Sequence, residues 1–176
     1  ALFTIDSEPA SRRNLVIAEL HYHPGEPSSP EELLISSDRD DYEFIELLNT
    51  GSRNIDLTGV RFDSGVNFDF PDNTVLGPGD RLLLLRNRIA FEARYGTLSG
   101  VQWFEYTGRL SNDGEILLLT GPSSQPIIDF TYNDRLPWPT SADGEGSSLV
   151  LLNPDSDASM EDPSQWTISG NPGGTP

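Results

Sequence analysis

The sequence predicts an all-β domain, either a sandwich or a barrel. Apolar residues recur mainly with a period of two, as in strands whose side chains alternate between two faces. Turn signals rich in Gly, Pro, Asn and Asp recur about every ten residues. With 176 residues, the chain is long enough to bury a core as one domain.

The predicted strands follow one another with turns or loops between them. The first spans residues 14–22, and Pro24 ends it because proline cannot donate to a strand ladder. A long acidic loop over 25–41 leads to the second strand, 42–49. The later predicted strands are 55–63, 66–71, 81–87, 101–106, 115–120, 126–132, 147–152 and a short segment at Trp166.

One segment, residues 88–95, departs from the strand period and is predicted to be a helix. Asn87 is a suitable N-cap, and Gly96 is placed to end the helix. We expect this helix to be an insertion at one end of the sandwich and not a layer of its own.

The net charge of the chain favours some classes of binding partner over others. It carries 28 acidic side chains against 11 basic ones, all of them Arg, for a formal net charge of −17. So negative a surface disfavours nucleic acids, which are bound by neutralising phosphates. It is compatible with cationic partners such as Ca²⁺, and equally with plain solubility. No apolar run is long enough to cross a bilayer, so we expect no membrane insertion. The acidic surface leads us to expect a monomer.

Several ordered blocks resemble a known family. They are "FIELLNTGSRNIDLTG", "FDFPDNTVLGPG" and "PWPTSADGEGSSL". The series from about Leu15 to Trp166 closely resembles the bacterial branch of the lamin tail domain family. The resemblance implies an immunoglobulin-like antiparallel β-sandwich. It also implies a non-catalytic accessory module of a large secreted or cell-surface bacterial protein.

The expected organisation follows from this resemblance. Residues 1–14 are predicted to be an N-terminal extension, 15–168 the lamin-tail-like β-sandwich, and 169–176 a C-terminal linker. The expected localisation is extracellular or at the cell surface. The expected partners are other domains of the parent chain, surface proteins or glycans, and the expected role is attachment, spacing or protein contact.

Several acidic residues lie within apolar strands, where they could be ligands of a metal ion. A buried carboxylate is costly unless it is paired or coordinated. Ca²⁺ prefers several carboxylate and carbonyl oxygens. The sequence therefore suggests calcium as a possible cofactor, against the alternative of structural acids that accept backbone N–H bonds. The candidate calcium ligands are Glu19, Glu46, Asp129, Asp134 and Asp143.

Other chemistry has weaker support in the sequence. Trp138 is a candidate for stacking on a sugar, which would make the domain a carbohydrate-binding module, but the favoured interpretation is a packing anchor. His21 and His23 supply only two nitrogen ligands, too few for a zinc site. No nucleophile motif is present, and a small hydrolase with paired carboxylates is the remaining alternative. We therefore expect no enzymatic activity.

Overall fold

The computed structural model describes residues 7–155, 159–171 and 174. Within these residues the helices are α1 (Pro30–Ile35) and α2 (Arg88–Tyr95), with 3-10 turns at Arg39–Tyr42, Thr140–Ala142 and Pro163–Gln165. The strands are β1 (Ser7–Pro9), β2 (Leu15–His21), β3 (Phe44–Asn49), β4 (Asn54–Asp56), β5 (Arg61–Ser64), β6 (Val75–Leu76), β7 (Arg81–Leu85), β8 (Gln102–Glu105), β9 (Glu115–Thr120), β10 (Pro126–Tyr132), β11 (Leu149–Leu151) and β12 (Trp166–Ile168).

Two of the sheets form the sandwich. The larger has the order β12-β11-β2-β3-β7-β8 and the smaller the order β10-β9-β5. Residues such as Ile45 and Leu84 from the larger sheet pack with Leu119 and Phe130 from the smaller one in a single buried cluster. A third, small sheet has the order β1-β4-β6. The predicted β-sandwich is confirmed.

Most strand pairs are antiparallel, but β7 and β8 run parallel. Parallel neighbours need a crossover connection, and here α2 lies in that connection. The parallel pair β1 and β4 is a second departure from the expected antiparallel pattern. No helix in the described part of the chain has the length and apolarity needed to cross a membrane.

The position of α2 corrects one expectation. Its bounds match the predicted helix, with Asn87 capping the amides of Ile89 and Ala90. However, Phe91 packs against Phe44 with ring centroids 5.6 Å apart, and joins a second buried cluster with Leu83 and Leu85. The helix therefore covers part of the six-stranded sheet on the side turned away from the sandwich core, which we call the outer face.

The predicted loop over 25–41 contains α1, which is a second correction. Ser29 accepts a hydrogen bond from the Glu32 amide, and the Glu32 carboxylate accepts one from the Ser29 amide. This reciprocal pair is a capping box, with Pro30 at the first helical turn. The signal was present in the sequence, but the acidic composition around it favoured a loop.

Two predicted strands are not continuous strands in the structure. The segment 55–63 is divided by a turn at Gly59, whose φ of +73° suits glycine, so it forms β4 and β5. The segment 66–71 makes isolated bridges from Asn67 and Asp69 and no continuous strand.

Candidate functional site

Glu46 lies in the middle of β3 on the outer face and is buried. Its neighbours across the ladders are Glu19 on β2 and Leu83 on β7. Arg81, which is half exposed, donates a hydrogen bond to Glu46 Oε1. Burial raises the pKa of the Glu46 carboxyl, Arg81 opposes this, and Glu19 reinforces it. The prediction of a buried Glu46 with a partner is confirmed, and that partner is Arg81.

Glu19 is the carboxylate that faces Glu46 across the ladder. Ser148 Oγ donates to Glu19 Oε1 at 2.5 Å. The chain also returns over this place, since a Cβ built on Gly174 would lie 2.9 Å from both Glu19 Oε1 and Phe44 Cζ. The two glutamates are thus neighbours, as predicted, but the protein's own groups cover Glu19.

The other three predicted ligands lie elsewhere. Asp129 is exposed on β10, on the side opposite the buried Ile128 and Phe130. Asp134 follows β10, and Asp143 follows the 3-10 turn Thr140–Ala142. Both of these carboxylates lie close enough to Tyr22 to raise the pKa of its hydroxyl, after burial, which is the larger cause.

The five candidate calcium ligands therefore do not come together in one group. Among the residues that the structure describes, no three His, Cys, Asp or Glu side chains are placed to hold a metal ion. Glu19 and Glu46 share the outer face, Asp129 points to solvent, and Asp134 and Asp143 lie around Tyr22 at the end of β2. Strand alternation indicates which acids share a face, but not which loops meet.

His23, just after β2, connects this end of the sandwich to the acidic loop. Arg39 Nη1 lies 3.0 Å from His23 Nε2, and His23 Nδ1 lies 2.6 Å from Asp143 Oδ1. Because a guanidinium can only donate, Nε2 accepts, and the proton of a neutral ring is on Nδ1. His23 therefore donates to Asp143 and holds that carboxylate in place. Arg39 also pairs with Glu26, so the network continues to the surface.

The position of Trp138 corrects the candidate sugar platform. Its exposed fraction is 6%, and its ring centroid lies 5.8 Å from that of Phe130 and 6.1 Å from that of Trp166. Phe130 and Trp166 are themselves stacked at 5.0 Å. A sugar would need an open aromatic face, whereas Trp138 is an anchor that packs the loop after β10 onto the core.

Comparison with known families agrees with this architecture. The sequence profile described as Lamin Tail Domain matches residues 8–135, most of the chain. The chain belongs to the lamin tail domain family. No curated protein matches it significantly. Strands β11 and β12 of this lamin tail domain lie beyond the matched residues and extend its six-stranded sheet.

Membership in the family shows the coarse class of function. Lamin tail domains are immunoglobulin-like interaction domains, and their fold is typically non-enzymatic. The part of this lamin tail domain that contacts a partner is a separate question, because one fold hosts many functions and only a site identifies one.

A buried carboxyl that the sequence did not single out lies just before β3. Glu43 is 1% exposed, and its Oε2 accepts hydrogen bonds from Tyr106 Oη at 2.8 Å and from the Leu110 amide at 3.0 Å. Its Oε1 has no hydrogen-bond partner in the described structure. Burial raises the pKa of Glu43 to about 8, although both hydrogen bonds lower it. Glu43 is a structural acid of the lamin tail domain's interior and not an open site.

The most exposed apolar surface that sequence reasoning missed is on α1. The exposed fractions of its last three residues are 54% for Leu33, 85% for Leu34 and 44% for Ile35. We call these three residues the α1 ridge. Consecutive helical positions are about 100° apart, so three of them cover more than half of the helix circumference. The run "LLI" was visible in the sequence, but its exposure depends on which face of α1 packs.

Proposed function

We propose that this lamin tail domain is a non-catalytic interaction module of a larger secreted or cell-surface bacterial protein, and that it contacts a partner protein through the α1 ridge. The observation that carries the proposal is the exposure of Leu33, Leu34 and Ile35 together. Single exposed apolar residues are normal on protein surfaces, whereas a contiguous group is typical of a contact site.

Contacts of Glu32 with α2 and with Tyr42 anchor the helix that carries the α1 ridge. Arg94 on α2 donates to Glu32 Oε1 at 2.5 Å, and its guanidinium lies 3.8 Å from the ring centroid of Tyr42. Tyr42 Oη donates to the Glu32 carbonyl at 3.0 Å. Burial would raise the pKa of Glu32, but the amides of Ser29 and Ser28 together with Arg94 outweigh it and lower that pKa to about 2. Glu32 is therefore ionised at neutral pH and ties α1 to α2.

This anchoring supports a preformed surface. An isolated helix of six residues would be unstable in water, and tertiary contacts such as these are what order it. Because the anchored side of α1 is the side of Glu32, the ridge residues are left on the solvent side. A rigid apolar surface loses less conformational entropy on binding than a flexible segment would.

The acidic residues around the α1 ridge indicate which kind of partner surface would complement it. Glu31 on α1 and Asp38 just after it are exposed beside the ridge, and the whole chain has a formal net charge of −17. Complementary potentials speed association and exclude wrong partners. The partner surface is therefore apolar at its centre and rich in Lys or Arg at its rim. Another domain of the parent protein or a neighbouring surface protein would supply it.

The test uses a random peptide library displayed on phage, selected on the wild-type domain. We expect the selected peptides to combine apolar and basic residues, and to lose at least about tenfold in affinity for the Leu34→Ser variant. Leu136→Ser is the matched control, because Leu136 is 83% exposed but lies on the loop after β10. Selected peptides that bind wild type and Leu34→Ser equally, or that lose affinity only for Leu136→Ser, would overturn the proposal.

The two alternatives are tested on the same material. A glycan array probed with the wild-type domain tests the carbohydrate-binding module, and we expect no saturable binding because Trp138 is packed in the core. A panel of ester, phosphodiester and glycoside substrates tests the small hydrolase. Turnover that one point mutation abolishes would contradict a non-catalytic role.

A further inference from the structure

Besides Glu43 Oε1, three buried side-chain oxygens in the described structure have no hydrogen-bond partner. These are Tyr22 Oη, Asn112 Oδ1 and Asp134 Oδ1. Tyr22 is wholly buried. Buried polar groups are nearly always paired with protein or with ordered water, so a bound ion or a bridging water is what such oxygens call for.

The chain brings these oxygens to the same neighbourhood around Tyr132. The Tyr22 and Tyr132 rings lie 4.8 Å apart, and Tyr132 Oη donates to the carbonyl of Ser111, the residue before Asn112, at 2.8 Å. Tyr132 also pairs with Glu115 across the β9–β10 ladder. The residues before β9 and after β10 therefore run side by side, which places Asn112 and Asp134 near each other.

Gly114 shows how closely these two segments approach. Its φ is +94°, and a Cβ built on it would lie 2.6 Å from the Tyr132 carbonyl oxygen and 2.8 Å from Asn133 Cα. A side chain here would clash, so only glycine permits this close approach.

A second carboxylate, that of Asp143, is held next to the residue that follows Tyr22. The Gly144 amide donates to the His23 carbonyl at 3.1 Å, which fixes the loop of Asp143 beside the end of β2. His23 Nδ1 orients the Asp143 carboxylate. Burial is the chief cause that raises the pKa of Tyr22, and the charges of Asp143 and Asp134 raise it further, in keeping with their closeness to its hydroxyl.

We propose that Asn112, Asp134 and Asp143 bind one Ca²⁺ ion beside Tyr22. These oxygens are two carboxylates and an amide carbonyl, which are hard ligands of the kind that Ca²⁺ prefers. Backbone carbonyls and water complete the six to eight ligands that Ca²⁺ takes. With only two carboxylates the charge count is low, as in the extracellular modules that bind Ca²⁺ with Kd of about 10⁻⁴ to 10⁻³ M.

The ligand set also separates this site from the other acids of the chain. Asp134 Oδ2 lies 3.6 Å from Arg135 Nε, but its buried Oδ1 has no hydrogen-bond partner in the described structure. In contrast, Glu46 Oε1 is paired with Arg81, and Glu19 Oε1 accepts from Ser148. Asp129 is exposed. A water molecule is the alternative occupant of a polar space of this kind, and it would bridge the same oxygens without any dependence on Ca²⁺.

The test is calorimetric titration of the whole chain with CaCl₂ in about 0.15 M NaCl, which screens diffuse attraction to the acidic surface. We expect one saturable site that prefers Ca²⁺ to Mg²⁺. At a Ca²⁺ concentration tenfold above Kd, the melting temperature should rise by roughly 3 to 6 °C. Absence of a saturable site would overturn the proposal and leave a bridging water.

Matched variants locate the site. Asp134→Asn should weaken Ca²⁺ binding by at least about tenfold, and Asn112→Asp should strengthen it because ligand charge tunes affinity. Asp129→Asn removes the same charge at an exposed position of β10 and should leave the affinity unchanged. If Asp134→Asn does not fold, the affinity of Asn112→Asp for Ca²⁺ still tests the site. Equal effects of Asp134→Asn and Asp129→Asn, or no gain with Asn112→Asp, would overturn the site.

Discussion

Glu43 makes the stability of this lamin tail domain depend on pH in a direction that one substitution can reveal. The carboxyl has an ordinary pKa of 4.5 in the unfolded chain and a pKa of about 8 in the fold, chiefly because it is buried. The folded state therefore holds its proton at a pH where the unfolded state releases it. The contribution to stability is complete below about pH 4.5 and is lost as the pH rises through about 8.

The magnitude follows from the two pKa values. Each pH unit between them changes the free energy of unfolding by about 1.36 kcal/mol. Near each pKa the carboxyl is only partly titrated, so the change per pH unit is smaller there. The free energy of unfolding therefore falls by roughly 3 to 4 kcal/mol from about pH 5 to about pH 8. Glu43→Gln keeps a neutral side chain that can accept from Tyr106 and from the Leu110 amide, so the variant lacks this loss.

Urea unfolding of both proteins from about pH 5 to about pH 8 measures the difference, and effects of the other acids cancel. We expect the variant to gain roughly 3 to 4 kcal/mol relative to wild type over this interval. Glu145→Gln, which removes an exposed carboxylate, is the control and should follow wild type. Parallel curves for Glu43→Gln and wild type would refute the argument, because they would mean that Glu43 titrates alike in both states.

Three further predictions concern the rest of the fold. Ser29→Ala removes the side-chain acceptor for the Glu32 amide and should cost about 0.5 to 2 kcal/mol in urea unfolding; no loss would mean that α1 does not depend on its cap. Glu46→Gln should be at least as stable as wild type at about pH 8, since burial outweighs Arg81 in the pKa of Glu46; a loss above about 1 kcal/mol would show that the ion pair dominates. With 28 acidic against 11 basic side chains, the melting temperature should rise with added NaCl, and a flat or falling curve would show that self-repulsion is unimportant.

Local signals predicted much of the fold. The helix at 88–95 was predicted with the bounds of α2, because Asn87 and Gly96 are strong signals adjacent to it. The burial of Glu46 followed from its place among apolar residues of one strand. In contrast, α1 is too short to be stable alone and depends on Arg94, which is 62 residues from Glu32 in the chain.

The contacts at the candidate sites could not be predicted because they join residues far apart in the chain. Arg81 meets Glu46 because of the register between β3 and β7, and no local pattern contains that register. The sequence could not show that Glu19 and Glu46 lie on the outer face and Asp129 is exposed, while Asp134 and Asp143 lie in loops near Tyr22. Trp138 was ambiguous because an aromatic residue in a proline-rich loop can pack inward or remain exposed.

The most direct measurement of the proposed contact surface is a map of amide chemical-shift changes in the labelled domain on addition of a selected basic, apolar peptide. The account predicts that the changes centre on Leu33, Leu34 and Ile35, and extend to the exposed acids Glu31 and Asp38. They should disappear in the Leu34→Ser variant at the same peptide concentration. Changes centred instead on the exposed side of β10, with the α1 ridge unaffected, would contradict the account.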